Sequence, residues 1–326
     1  MRKTNRLKWA AALGLGLGLA LLAPVAWASC GSAFCSLSSD WNLQGVWTEP
    51  GLRADFRYES ITQDQPMLGN RAVAVGEIPM HHDEVKTVNQ NLLATLDYAL
   101  NEAWALSLGI PYIDRYHEHI HNHQGAKLLE TWRFTELGDV RALARYQVQL
   151  HDPAAPGPES ALGVQFGLKL PTGRTDAKNG EGDAAERTLQ PGTGTTDLLF
   201  GSFFRRRVGL TSILFVQGMW QNALDSKDDF QPGARVNLDV GFRSNVTSDA
   251  ALLVQVNTLL KGKDAGAQAE PDDSGGTFVF LSPGASYALT ADWQAYAFYQ
   301  LPVYEFVNGL QLTAKDSYAL GLSARF

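Results

Sequence analysis

"GLRADFRYESI" occupies residues 51–61, and its alternation decides the fold. Leu52, Ala54, Phe56 and Tyr58 alternate with Arg53, Asp55, Arg57 and Glu59. An extended chain therefore carries one greasy face and one charged face. The same period runs on through Leu92, Ala94, Leu96 and Tyr98, then through Trp104, Leu106, Leu108 and Ile110. Val140 to Val148, Leu162 to Leu168 and Ala234 to Val240 repeat it, with Arg141, Arg145, Arg235 and Asp239 between the apolar positions. About twelve such segments follow one another, and the last is Tyr318 to Phe326. Two, at 277–288 and 293–303, are apolar on both faces and have no readable phase.

A soluble β-sandwich also alternates, but around a small core. Two features favour a membrane barrel. The segments run nine to thirteen residues, which suits a tilted membrane span. Their connections alternate between tight links (100–103, 205–209, 244–249, 289–292, with 151–159 intermediate) and long polar ones near 62–87, 113–137, 171–194, 221–231, 261–276 and 304–315. Short periplasmic turns and long outer loops give that pattern. The expectation is an all-β, antiparallel transmembrane β-barrel of outer-membrane type, with about twelve strands over residues 51–326. An arginine facing lipid near mid-membrane costs about 2–4 kcal/mol. Arg53, Arg57, Asp97, Arg141, Arg145, Arg235 and Asp239 are therefore assigned to the lumen, which at this strand number is too wide for side chains alone to fill.

The start of the chain sets its route. Arg2, Lys3, Arg6 and Lys8 precede an apolar run that ends in Ala26-Trp27-Ala28, which reads as a secretory signal over residues 1–28. A retained anchor or a lipoprotein cut before Cys30 are the other readings. Beyond the signal, 23 Lys and Arg remain against 34 Asp and Glu, a net charge of −11. That excludes nucleic acid as an expected partner. Cys30 and Cys35 are the only cysteines, in a periplasmic segment at 29–50. A local disulfide is their expected state in an oxidising compartment. Residues 39–47, "SDWNLQGVW", suit either a periplasmic tail or a small insert in the lumen.

The final "SYALGLSARF", with Tyr318, Leu320, Leu322, Ala324 and Phe326 at every second position, resembles the C-terminal signal read by the barrel assembly machinery. "FGLKLPTGRTD" (166–176) and "LQPGTGTTDLLFGSFF" (189–204) resemble a family called putative MetA-pathway of phenol degradation, with "ELGDVRALARYQV" (136–148) and "LSPGASYAL" (281–289) as further matching strands. The resemblance covers roughly 130–326. It implies an outer-membrane barrel that takes up aromatic or hydrophobic compounds, and it carries over no catalytic or ligand residues. Read physically, Pro171 and Gly173 end a strand, and Arg174 to Gly194 reads as a solvated outer loop.

Six of the seven histidines fall in the first two long links: His81 and His82, then His117, His119, His121 and His123. At every second position these last four share one face of an extended chain. Three readings stay open: a metal site for Zn, Cu or Ni with Glu84, Asp114 or Glu118 as further ligands, a pH-sensitive gate, or a polar loop. Asp83 beside His82 and Asp114 near His117 imitate an Asp–His pair, but no nucleophile accompanies them, so an enzyme is not expected. The expected function is a channel at the bacterial outer membrane, contacting lipid and passing a hydrophobic or aromatic compound or a metal ion. A metal-binding or closed structural barrel is the alternative.

Overall fold

The computed structural model describes residues 37–41, 43–79, 83–123, 126–151 and 158–326. The signal segment, Cys30 and Cys35, and His81 and His82 lie outside the described residues.

The chain forms thirteen strands: β1 (Gly51–Gly69), β2 (Arg71–Ala72), β3 (Asp83–Ala99), β4 (Trp104–His123), β5 (Ala126–Leu137), β6 (Arg141–His151), β7 (Pro158–Lys169), β8 (Asp197–Val208), β9 (Ser212–Ala223), β10 (Arg235–Asn245), β11 (Ala250–Lys261), β12 (Gly276–Ala288) and β13 (Trp293–Arg325). Each neighbouring pair is antiparallel, and β13 returns to pair with β1, so the sheet closes on itself. Eleven elements make the ring, while β2 and β5 lie off it.

Two irregularities reconcile that ring with the alternation in the sequence. The first is in β13. Its residues 294–307 pair with β12 and its residues 307–325 pair with β1. Tyr299 Oη donates to Asp316 Oδ2 at 2.5 Å and Ser317 Oγ donates to Gln300 Oε1 at 3.1 Å, so the two halves lie side by side. The chain turns back at Gly309, whose φ of 57° suits glycine. This one strand element crosses the wall twice, which makes twelve crossings. The second irregularity joins β5 and β6 into one crossing. β4 pairs with β6 through Trp104–Gly109 and with β5 through Tyr112–His123. Pro111, which has no N–H to give the ladder, lies between these two stretches. Gly138 N donates instead to Pro111 O at 2.9 Å.

The outward face is a continuous apolar belt. Leu52, Phe56, Leu96, Leu106, Leu162, Phe200, Leu238, Val240, Phe242, Val254 and Leu320 are all exposed. Large apolar patches of this kind belong against lipid rather than water. Their sequence neighbours turn inward, and Asp55, Glu59, Arg145, Gln147, Asp239, Gln255 and Asn257 are buried. The unphased segments resolve here too. Phe278, Phe280, Tyr296 and Phe298 are buried on the inner side, where other parts of the chain cover them.

Three of the links expected to be loops are strand. β1 and β3 extend into 62–87, β4 and β5 occupy most of 113–137, and β13 runs through 304–315. Here the wall stands above the hydrocarbon. Its outer side carries Asp114, Glu118 and Arg133 instead of leucines, so the hydropathy pattern that marks a span is lost although the strand continues. The barrel is thus tall on the β13–β1–β3–β4–β5 side and short from β7 to β11.

Val240 sits between Val216 and Val256 in the middle of the belt. Val240→Arg is expected to lower the free energy of unfolding from lipid vesicles by about 2–4 kcal/mol. Unchanged stability in a urea titration would mean that this face does not meet lipid.

Candidate functional site

The segment before β1 folds into the lumen. Arg57 Nη1 donates to Leu37 O (2.9 Å) and Ser39 Oγ (3.0 Å), and Gln255 Nε2 donates to Ser38 O (2.9 Å). Arg145 pairs with Asp40 at 2.7 Å, and Trp41 Nε1 donates to Ser323 Oγ at 2.6 Å. Leu37 and Trp41 pack on Leu253, Tyr296 and Phe298, and Leu43 packs on Phe203 and Phe215. Residues 37–41 and 43–47 therefore plug the periplasmic half of the barrel, held by six strands.

The outer half is filled by the loop between β7 and β8. Lys169 Nζ lies 2.8 Å from Asp139 Oδ2 and 3.2 Å from Asp197 Oδ1, and donates to Thr193 Oγ1 (2.5 Å) and Thr195 O (2.8 Å). Asp139 also accepts from Gly173 N (3.0 Å) and Thr193 N (2.9 Å). One buried ammonium thus gathers the ends of this loop, and Gly192 and Gly173 meet so closely that a Cβ on Gly192 would lie 2.5 Å from Gly173 O. The loop is solvated along 178–184, as expected from sequence, but it is also anchored: Ala177, Ala185 and Leu189 pack against Trp132, Phe134 and Leu312 inside the tall wall. Arg174, Asp176, Lys178, Glu181 and Asp183 do face solvent, and they conceal the apolar residues between them that anchor the loop.

Between plug and loop lies a cavity of about 390 Å³. Its basic lining is Arg57, Arg115, Arg141, Lys169, Arg187, Arg235 and Lys261, against the acidic Glu59, Asp139, Asp197 and Asp264. Most of these charges are matched. Arg57 meets Glu59 at 2.9 Å and Lys261 meets Asp264 at 2.8 Å. Among the described residues, neither Arg141 nor Arg235 has a carboxylate within 4.0 Å. Leu93, Ile110, Ile113, Leu189 and Phe230 supply apolar lining. Of the other residues assigned to the lumen, Arg53 stands opposite Asp97 across β1 and β3, and Asp239 accepts from Gln217 (2.7 Å) and Asn257 (2.7 Å).

The histidines divide. His117 and His119 are buried on the inner side of the tall wall, above the lipid belt. His121 Nδ1 lies 3.5 Å from Glu130 Oε1, and the side chain of His123 lies outside the described residues. Asp114 and Glu118, considered as ligands, lie on the opposite, outer side, where Arg133 and Tyr116 meet them. Glu84, His117 and His119 do come together, each offering a ligand atom within 4.8 Å of the others. Burial holds the His117 ring well below the ordinary imidazole value, and His119 and Arg115 add to that. Burial also lowers His119, while its hydrogen bond to Glu130 pulls it back up. Sequence reasoning missed Thr87 and Glu130, which meet the two rings, and the buried Glu186 and Glu270 of two later loops, which feel the charge of Glu84. Burial and the charges of Glu270, Glu84 and Asp273 push the Glu186 carboxyl well above its usual range. Burial and the charge of Glu84 push Glu270 up to about 9.

The family described as "Putative MetA-pathway of phenol degradation" matches residues 100–305. The chain belongs to that family. Within this MetA-pathway family member, the lysine of its K-L-P-T-G element and the aspartate that ends its P-G-x-G-x-x-D element are Lys169 and Asp197, so the family motifs coincide with the knot that seats the loop. An outer membrane channel from Pseudomonas putida F1 has a similar fold, with a TM-score of 0.64 at 14% identity over 90% of this chain and 98% of that one. The NanC porin aligns over 84% of this chain and 100% of its own, with a TM-score of 0.45 and 11% identity. A FadL homologue from Pseudomonas aeruginosa aligns over 91% and 96%, with a TM-score of 0.39 and 12% identity. No curated protein matches the chain. With its lipid-facing belt and closed ring, the MetA-pathway family member is an outer-membrane β-barrel.

Removing the cation at the knot strands two buried carboxylates. Lys169→Met is expected to cost about 3–5 kcal/mol and to loosen the loop enough for trypsin to cut it at Arg187, whose side chain is nearly buried in the folded barrel. A digestion pattern identical to wild type would show that Lys169 does not hold the loop.

Proposed function

We propose that this protein is an outer-membrane channel for a small anionic solute, with aromatic carboxylates or phenolates as the class that fits its cavity. The observation that carries the reading is the pair Arg141 and Arg235. Both face the cavity, and among the described residues neither forms an ion pair with a carboxylate within 4.0 Å. Guanidinium groups bind carboxylates bidentately, and the apolar lining suits a ring. The volume is within the range of small-molecule sites. The family description points to aromatic compounds as well. A free divalent cation, the competing solute from the sequence, would meet a cavity lined by more basic than acidic side chains.

A second reading, a closed binding barrel, is favoured by the plug and the inturned loop, which cap the cavity on both sides. Conductance separates the two. The refolded protein in planar bilayers is expected to conduct in favour of anions in a KCl gradient. Arg141→Glu with Arg235→Glu should reverse the sign of the reversal potential. Benzoate should reduce the current where phenol in its neutral form does not. Deleting residues 37–47 should raise conductance several-fold. A barrel that stays silent with and without the plug would transfer the reading to binding without transport, and a cation-selective wild type would refute the role of the arginines.

A further inference from the structure

The tall wall carries a chemical cluster that solute passage does not require. In the β3–β4 ladder Glu84 stands directly opposite His119, and Thr87 opposite His117. A register shift between Glu84 and Lys86 breaks the alternation there, so Glu84 turns inward although simple parity would send it out with Lys86. Bulges re-aim side chains in this way next to functional sites. His117 Nε2 then lies 3.4 Å from His119 Nδ1 and 3.7 Å from Glu84 Oε2. The edges of a tetrahedral zinc site with bonds near 2.0–2.1 Å are about 3.3 Å. All three side chains are buried, with Glu84 1% and His117 0% exposed.

The other nitrogen of each ring is held from outside. His119 Nε2 meets Glu130 Oε2 at 3.2 Å, and His117 Nδ1 meets Thr87 Oγ1 at 2.9 Å. A carboxylate only accepts, so Nε2 of His119 carries the proton and Nδ1 presents its lone pair to the cluster. A carboxylate behind a ligating histidine is the usual support of a metal ligand. Trp132 stacks beside both rings, 4.9 Å from His119 and 5.8 Å from His117 between centroids, and fixes their planes. A second observation comes from the loops. Both carboxylate oxygens of Glu186, and Oε2 of Glu270, are buried without a hydrogen-bond partner among the described residues, and both groups feel the charge of Glu84. Three carboxylates from three separate segments converge where no lysine or arginine pairs with Glu186 or Glu270.

We infer that Glu84, His117 and His119 bind one divalent transition-metal ion, zinc being the best match, on the inner wall of the barrel mouth. Two nitrogens and one or two oxygens suit Zn, Cu or Ni, whereas Ca and Mg take oxygen alone. The ion is a resident of the wall and not the solute: its ligands are buried and anchored in strands. It joins β3 to β4.

The test is metal content and Co²⁺ spectroscopy of the full-length refolded protein in detergent. After a chelator wash, one equivalent of Zn²⁺ per chain should rebind, and Co²⁺ should give the intense visible absorption of a four-coordinate N/O site. Glu84→Gln combined with His119→Gln should abolish stoichiometric binding. Glu130→Ala should weaken it about 10–100-fold. Folding of each variant is checked by heat-modifiable migration on gels. If the double variant fails to fold, the wild-type Co²⁺ spectrum decides by itself: weak octahedral bands, or no bands, overturn the site. Stoichiometric binding that survives the double variant would refute the inference. None of these readouts depends on whether the barrel conducts.

Discussion

In hydrocarbon no water is available to accept a backbone N–H or to solvate a charge. Every peptide group within the span must be paired by the protein itself, and every outward side chain must be apolar. Closing β13 onto β1 satisfies the first demand, and the belt from Leu52 round to Leu320 satisfies the second. A consequence is that nearly all of the polar chemistry of the spanning region is driven into the lumen. Charged residues that would be scattered over the surface of a soluble domain are concentrated here within one narrow interior.

That interior has to be organised, because a ring of twelve crossings is wider than its side chains can fill. Three devices do so. The plug at 37–47 brings apolar groups to the inward aromatics of β13. The Lys169 knot folds the β7–β8 loop inward. Ion pairs such as Arg57 with Glu59 and Lys261 with Asp264 neutralise most of the wall. Arg141 and Arg235 stand out against this background of matched charge, and so do the carboxylates of Glu186 and Glu270. The two imbalances have opposite sign and different heights, one between plug and loop and one at the mouth.

The belt and the strand phases were legible in the sequence because lipid enforces strict alternation wherever the wall meets it. Legibility failed wherever something other than lipid or water covered the wall. Phe278, Phe280, Tyr296 and Phe298 hid the phase of two segments, since an inward aromatic looks the same as an outward one unless its cover is known. The strands above the membrane read as loops because both of their sides tolerate polar residues. Of the histidine cluster, the shared face of His117 and His119 followed from their spacing. The inward turn of Glu84 did not, because a one-residue bulge inverts parity without leaving a mark in composition. Glu186 and Glu270 come from loops about 70 to 190 residues further along the chain, and only the closed ring brings them near.

The plug also lies at the seam. It immediately precedes β1, holds that strand through Arg57, and reaches across the closure to Ser323, which itself donates to Asp55 of β1. First and last strands therefore meet over a segment that must already be inside when they do. Seating the plug and shutting the ring are a single event, so the residues that block the pore in the finished barrel also serve as the clasp of its assembly. Changes to Trp41 or Asp55 will consequently be felt first in how many barrels reach the membrane, before any barrel is asked to carry a solute.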